Sequence, residues 1–194
     1  MSDAQPKALA KSEGVLTQAA LGNSGKVTGL SSPSPGPPAP APEKQVLKLH
    51  DKVPNKAEKD VVGAITAKIV RGTPEFDTLV ENTNNDIIFK DEEGTGADKM
   101  MSKRMDEKMN ELAKLVKDEW PGKKLRVTEC WDENGEHNEH STHYEGRGAD
   151  LTVSDKDGKK LGRLGQLAVD AGFDWVFYED SVHIHVAVKK DEDE

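Results

Sequence analysis

The stretch Ser31–Pro42 reads Ser-Ser-Pro-Ser-Pro-Gly-Pro-Pro-Ala-Pro-Ala-Pro, and it sets the first limit on what this chain can fold into. Proline lacks the amide hydrogen that helices and sheet ladders use. A run of this kind takes extended polyproline form and buries no core. The sequence therefore predicts a disordered Pro/Ser-rich tail over residues 1–44, acting as a spacer, and one folded domain over 45–190. The 34% hydrophobic and 32% charged content, low and high for a globular protein, fits a chain that is folded in part. Residues 191–194, Asp-Glu-Asp-Glu, read as a solvated acidic end.

Charge is divided unevenly along the chain. Residues 1–60 hold eight Lys and six Asp or Glu, a balance of +2, and the remainder holds 19 basic and 30 acidic residues, a balance of −11. Such an acidic domain is poorly suited to a nucleic-acid backbone. It suits cations, because bound metal relieves repulsion among carboxylates. Cys130 is the single cysteine, which leaves no internal disulfide and no thiolate zinc cluster; it reads as a small, partly buried apolar residue. No apolar run approaches the ~20 residues of a membrane-spanning helix. The opening Met-Ser-Asp-Ala-Gln-Pro-Lys starts no apolar core, so no signal peptide is readable.

Local patterns predict the elements. Ile65–Val70 alternates and is rich in β-branched residues, so it is expected as a strand. Pro74–Leu79 is expected as a short helix capped by Thr73. Asp86–Phe89, Leu125–Thr128, Ala149–Val153, Trp175–Tyr178 and Val182–Val188 read as further strands. From Asp98 to Trp120, apolar Met101, Met105, Met109, Leu112 and Val116 recur at helical spacing, stopped by Pro121-Gly122, and this Met-rich face reads as core. Lys159–Ala171 reads as a second long helix ended by Gly172. Asp155-Lys-Asp157-Gly158 reads as the turn that opens it. Strands and helices mix without strict alternation, which predicts an α+β fold: a mixed sheet with helices packed on one face.

The chemistry-bearing pattern is Ser141-Thr-His143-Tyr-Glu-Gly146-Arg-Gly-Ala-Asp150 followed by Val182-His183-Ile-His185-Val186. A turn at Gly146 can bring His143 from its loop to Asp150 on the next strand. Period-two geometry places His183 and His185 on one strand face. Either fragment alone is commonplace; together, two imidazoles beside a carboxylate are costly for a core and useful for zinc. A second, acidic pattern joins Asp91-Glu92-Glu93-Gly-Thr-Gly-Ala-Asp98 to Thr128-Glu129-Cys-Trp-Asp132-Glu-Asn134 and supplies hard oxygen donors of the kind calcium takes. Neither half has the spacing of an EF-hand loop.

At these residues the chain resembles the hedgehog signalling domain. The likeness runs from about Val53 to Val188 and is densest at 86–98, 125–129, 143–147 and 171–179. It implies a sandwich shared with lysostaphin-type and D-Ala-D-Ala metallopeptidases. It further implies zinc on His143, Asp150 and His185, surrounded by Glu179, His183 and His137. By the same matching, a two-calcium site falls on Glu92, Glu93, Asp98, Thr128 (through its backbone oxygen), Glu129 and Asp132, with Asn134 standing where the family usually has Asp. The function expected from this is a calcium-regulated zinc peptidase, with Glu179 as general base and His183 and His137 stabilising the oxyanion on a peptide substrate. The alternative expectation is a signalling ligand without catalysis, whose zinc and calcium shape the surface a protein receptor grips. The resemblance implies an extracellular place, although the amino-terminal Cys-Gly start of the family is absent from this sequence.

Overall fold

The computed structural model describes residues 43–191. The expected tail lies outside the described residues apart from Glu43 and Lys44, and Lys44 Nζ sits 2.6 Å from Glu119. Six strands form one mixed sheet: β1 (Lys52–Val53), β3 (Ile87–Phe89), β5 (Leu125–Glu129), β6 (Gly148–Val153), β7 (Trp175–Phe177) and β8 (Ile184–Ala187). Their order is β1-β7-β8-β6-β5-β3, antiparallel throughout except for the parallel β3–β5 pair. A separate two-stranded ladder joins β2 (Val80–Glu81) to β4 (Met100–Met101).

Two long helices, α2 (Lys103–Glu119) and α3 (Leu161–Ala171), cover one face of the sheet. Met105, Met109, Leu112, Ala113 and Val116 of α2 are fully buried, as are Leu161, Leu164 and Ala168 of α3. They meet Leu125, Val127, Leu151, Val153, Val176, Ile184 and Val186 from the sheet in one cluster. The Met-rich face is thus core, and the α+β architecture is as expected. Leu47 crosses α3 at Gly162, where an added Cβ would lie 2.4 Å from the Leu47 carbonyl oxygen; glycine there allows the close approach of two backbones. The five-residue α1 (Glu58–Val62) lies on the other side, packing Val62 against Trp175 and Ala187.

Five expectations need correction. Ile65–Val70 forms no strand. Its Thr66 and Ala67 amides donate to the Glu145 carboxylate and Ile69 donates to the Tyr144 carbonyl, so no ladder is built. Pro74–Leu79 yields a 3₁₀ turn at Phe76–Thr78. The long helix starts at Lys103, because Ser102 caps it by accepting from the Met105 amide and Ala97–Met101 forms a 3₁₀ turn and β4. Asp191 is not free in solvent: its two oxygens accept from the Lys103 and Arg104 amides (3.2 and 2.9 Å), a second cap on α2. Strand β8 also begins two residues later than expected, since Asp180 Oδ1 holds the Val182 and His183 amides in a turn.

Candidate metal centre

The sheet register assembles the centre. Asp150 on β6 stands directly opposite His185 on β8, and Phe177 on β7 stands opposite His185 from the far side. All three are on the face turned away from α2 and α3, because the intervening Leu151, Ile184 and Val176 point into the helix-covered core. His143 arrives from a 3₁₀ turn, Thr142–Glu145, that Ser141 opens by accepting from the His143 amide. Gly148 lets β6 pass beneath that turn: a Cβ there would lie 2.4 Å from Thr142 Oγ1 and 3.0 Å from the His143 nitrogen. The resulting distances are 2.9 Å from His185 Nδ1 to Asp150 Oδ1, 3.3 Å from His143 Nε2 to His185 Nδ1, and 3.5 Å from His143 Nε2 to Asp150 Oδ1.

The second nitrogen of each imidazole is engaged from behind. His143 Nδ1 is 2.7 Å from the Cys130 carbonyl, and His185 Nε2 is 3.4 Å from Glu58 Oε1. Such outer partners favour the N–H at the outer nitrogen, which leaves the inward one to donate to a metal. Three donor atoms this close repel one another unless a proton or cation sits among them. Burial works against a charged His185, yet Asp150 and Glu58 push its pKa up to about 10. Burial would likewise raise Asp150, but hydrogen bonds from His143 and His185 hold its carboxyl well below the usual range. The donor set of two imidazoles and one carboxylate suits a divalent cation of borderline softness.

Glu179, His183 and His137 surround this trio in an open cleft of about 420 Å³. His183 Nε2 is 3.3 Å from Glu179 and 3.7 Å from Asp150 Oδ2, so both histidines of the His-x-His pair do reach Asp150. The hydrogen bond to Glu179 raises the His183 pKa against the effect of burial. The His137 ring stacks on His143 with centroids 4.0 Å apart, while its Nδ1 is held 2.8 Å from Asp132. Tyr144 adds a hydrogen bond from its hydroxyl to the His137 carbonyl.

The acidic residues gather beside this cleft. A bulge between Val127 and Glu129 makes Glu129, rather than Thr128, the partner of Asp150; the Thr128 hydroxyl instead donates to the Asp150 carbonyl. Burial, together with Asp98, Asp132 and Asp150, raises Glu129 to about 7 although His137 opposes the shift. Burial also raises Asp98, with Glu93 and Asp91 adding to it and backbone amides opposing. Asn134 donates its amide to Glu93 at 3.2 Å. Glu92 is paired with Lys90 instead. Glu129, Asp132 and His137 each place one ligand atom within 4.8 Å of the others. Crowded carboxylates with raised pKa values are what a cation would relieve.

A family model for the hedgehog amino-terminal signalling domain matches residues 32–187. The chain belongs to the hedgehog family. This hedgehog domain is 55% identical over 139 residues to the tiggy-winkle hedgehog protein of Danio rerio, covering 71% of this chain and 33% of that relative. It is 54% identical over 140 residues to the Indian hedgehog protein of Gallus gallus, covering 71% and 34%. Against protein hedgehog of Drosophila virilis it is 52% identical over 147 residues, covering 75% and 30%. The chain thus spans about a third of the length of these curated relatives. Among the described residues no helix is long and apolar enough to cross a membrane.

Two contributors to the hedgehog centre escaped the sequence reading. Glu58 lies far in sequence from the histidines of the centre, 127 residues from His185, and no local pattern marks it. Cys130, read as a partly buried apolar residue, is fully buried, and it serves the site through its peptide carbonyl, a group that every residue carries.

Proposed function

We propose that this domain is a hedgehog-type signalling ligand, displayed outside the cell, whose cation-bearing sheet face binds a protein receptor. In this reading zinc is held by His143, Asp150 and His185. Calcium is held by Glu92, Glu93, Asp98, the Thr128 carbonyl, Glu129, Asp132 and Asn134, of which Glu92 has to leave Lys90 to take part. The observation that carries the reading is the Cys130 peptide. Its N–H donates to Asp98 at 3.2 Å and its carbonyl accepts from His143 at 2.7 Å, so one buried peptide joins the acidic cluster to the histidine cluster. Nitrogen donors on one side and hard oxygen donors on the other match zinc and calcium respectively.

The test is binding of the purified chain to an ectodomain fragment of a hedgehog receptor, with zinc and millimolar calcium present. Binding is expected, and it should weaken when the metals are chelated or when Asp132→Asn is introduced. Affinity indifferent to both treatments would overturn the proposal.

A second reading, a calcium-regulated zinc peptidase, is favoured by the 3.3 Å contact between Glu179 and His183 beside Asp150 in the open cleft. Bound zinc supplies Lewis acidity and a water of near-neutral pKa. Glu179 is then the group placed to accept a proton, and His183 and His137 are the donors beside a developing oxyanion. A peptide panel decides the matter: cleavage that Glu179→Ala abolishes supports chemistry, and none above that control removes it.

A further inference from the structure

Glu58 opens α1 and reaches the histidine centre from the wall of the cleft. Its Oε1 accepts from the Thr142 hydroxyl at 2.5 Å and lies 3.4 Å from His185 Nε2. Thr142 immediately precedes His143, so one carboxylate ties together the two elements that carry the two imidazoles.

An imidazole that binds a metal presents a lone pair at one nitrogen and keeps its N–H at the other. For His143 the Cys130 carbonyl settles the choice. For His185 the choice is contested. Asp150 lies 2.9 Å from Nδ1 and, by accepting a hydrogen bond, favours the N–H at that nitrogen, which blocks it as a donor. Glu58 favours the N–H at Nε2 and so frees Nδ1. We infer that Glu58 is the positioning residue that makes His185 a metal donor through Nδ1, and that cation binding in turn pins α1 to the sheet.

The segment around α1 has other anchors, including Trp175 Nε1 to the Lys56 carbonyl and Arg147 Nη1 to the Val62 carbonyl, both 3.0 Å. Neither of those hydrogen bonds is made to a histidine, although the Trp175 ring stands edge-on to His185 with centroids 5.8 Å apart. The Glu58 contact alone among these three changes when His185 commits its Nδ1 to a cation.

The inference rests on the zinc reading above, and the test separates the two. Zinc affinity of the full chain is measured by competition with a chromophoric chelator for the parent, Glu58→Ala and Glu58→Gln. Gln keeps an acceptor oxygen for Nε2–H and Ala keeps none. Glu58→Ala should weaken zinc binding by about 10- to 100-fold, with Glu58→Gln retaining most of the affinity and calcium binding unchanged in both. Nitrogen NMR of the zinc-loaded parent should show His185 protonated at Nε2, and zinc should slow amide exchange at Val62 and Gly63 in the parent but not in Glu58→Ala. Zinc binding by Glu58→Ala as tight as the parent's overturns the assignment. So do equal losses in both variants accompanied by an equal fall in the melting temperature of the metal-free chain, the sign of a merely structural role. A parent that takes no zinc brings down the zinc reading and this inference with it.

Discussion

A proton and a cation compete for the space between His143, Asp150 and His185, and His185 is where the competition is measurable. Its pKa is pushed from 6.5 to about 10 by Asp150 and Glu58 despite burial. At neutral pH a cation therefore has to displace a proton from this ring. Apparent zinc affinity should rise by about tenfold per pH unit below that pKa, the slope for one released proton. Titration calorimetry in buffers of different ionisation enthalpy reads the number directly, and zero proton release at pH 7 would contradict it. In the metal-free chain the same shift stabilises the fold fully below about pH 6.5, and that contribution is lost as pH climbs through about 10. His143, Asp150 and His185 were legible in the sequence because a short turn and a period-two strand are local geometry. Glu58, 127 residues from His185, was not, since its place depends on how α1 crosses the finished sheet.

Elements were legible where the apolar period faces the helix layer. The α3 pattern and the β5, β6, β7 and β8 patterns each align with residues in the main cluster. Ile65–Val70 has the same alternation, but its amides meet a carboxylate and a loop carbonyl rather than a partner strand, so the pattern misled. The start of α2 misled differently: Met101 lies on the helical period yet belongs to β4, and the capping Ser102 marks the true beginning. That end of α2 has two caps, Ser102 on Met105 and Asp191 on Lys103 and Arg104. Carboxylates at a helix N-terminus satisfy orphan amides and complement the dipole. Asp191→Ala should therefore cost about 0.5–2 kcal/mol in urea unfolding, with Asp191→Asn losing less. A midpoint unmoved in Asp191→Ala would mean the contact contributes nothing.

On the scale of the molecule, the sheet divides labour between its faces. One buries methionine, leucine and valine under α2 and α3, and stability resides there; the other gathers histidines and carboxylates that repel until a cation or proton arrives. Glu129 sits where the two clusters meet, opposite Asp150 and among Asp98 and Asp132. Its pKa is raised from 4.5 to about 7, so the folded chain holds a proton there that the unfolded chain has released. Stability then falls as pH rises from about 4.5 to about 7, and above that range the ionised carboxylate exerts its full penalty. Glu129→Gln should accordingly stabilise the metal-free chain at pH 8 by on the order of 1 kcal/mol, after allowing for solvent screening of a half-buried group. That corresponds to a melting temperature about 2–4 °C higher, with no gain near pH 4. Calcium stabilises the native state it binds, so the parent should gain from millimolar calcium and Glu129→Gln should gain less. Parallel melting scans with and without calcium at both pH values check the sign. A Gln variant less stable than the parent at pH 8 without metal would show that Glu129 is held by favourable contacts rather than crowded by like charge, and the acidic cluster would lose its case as a cation site.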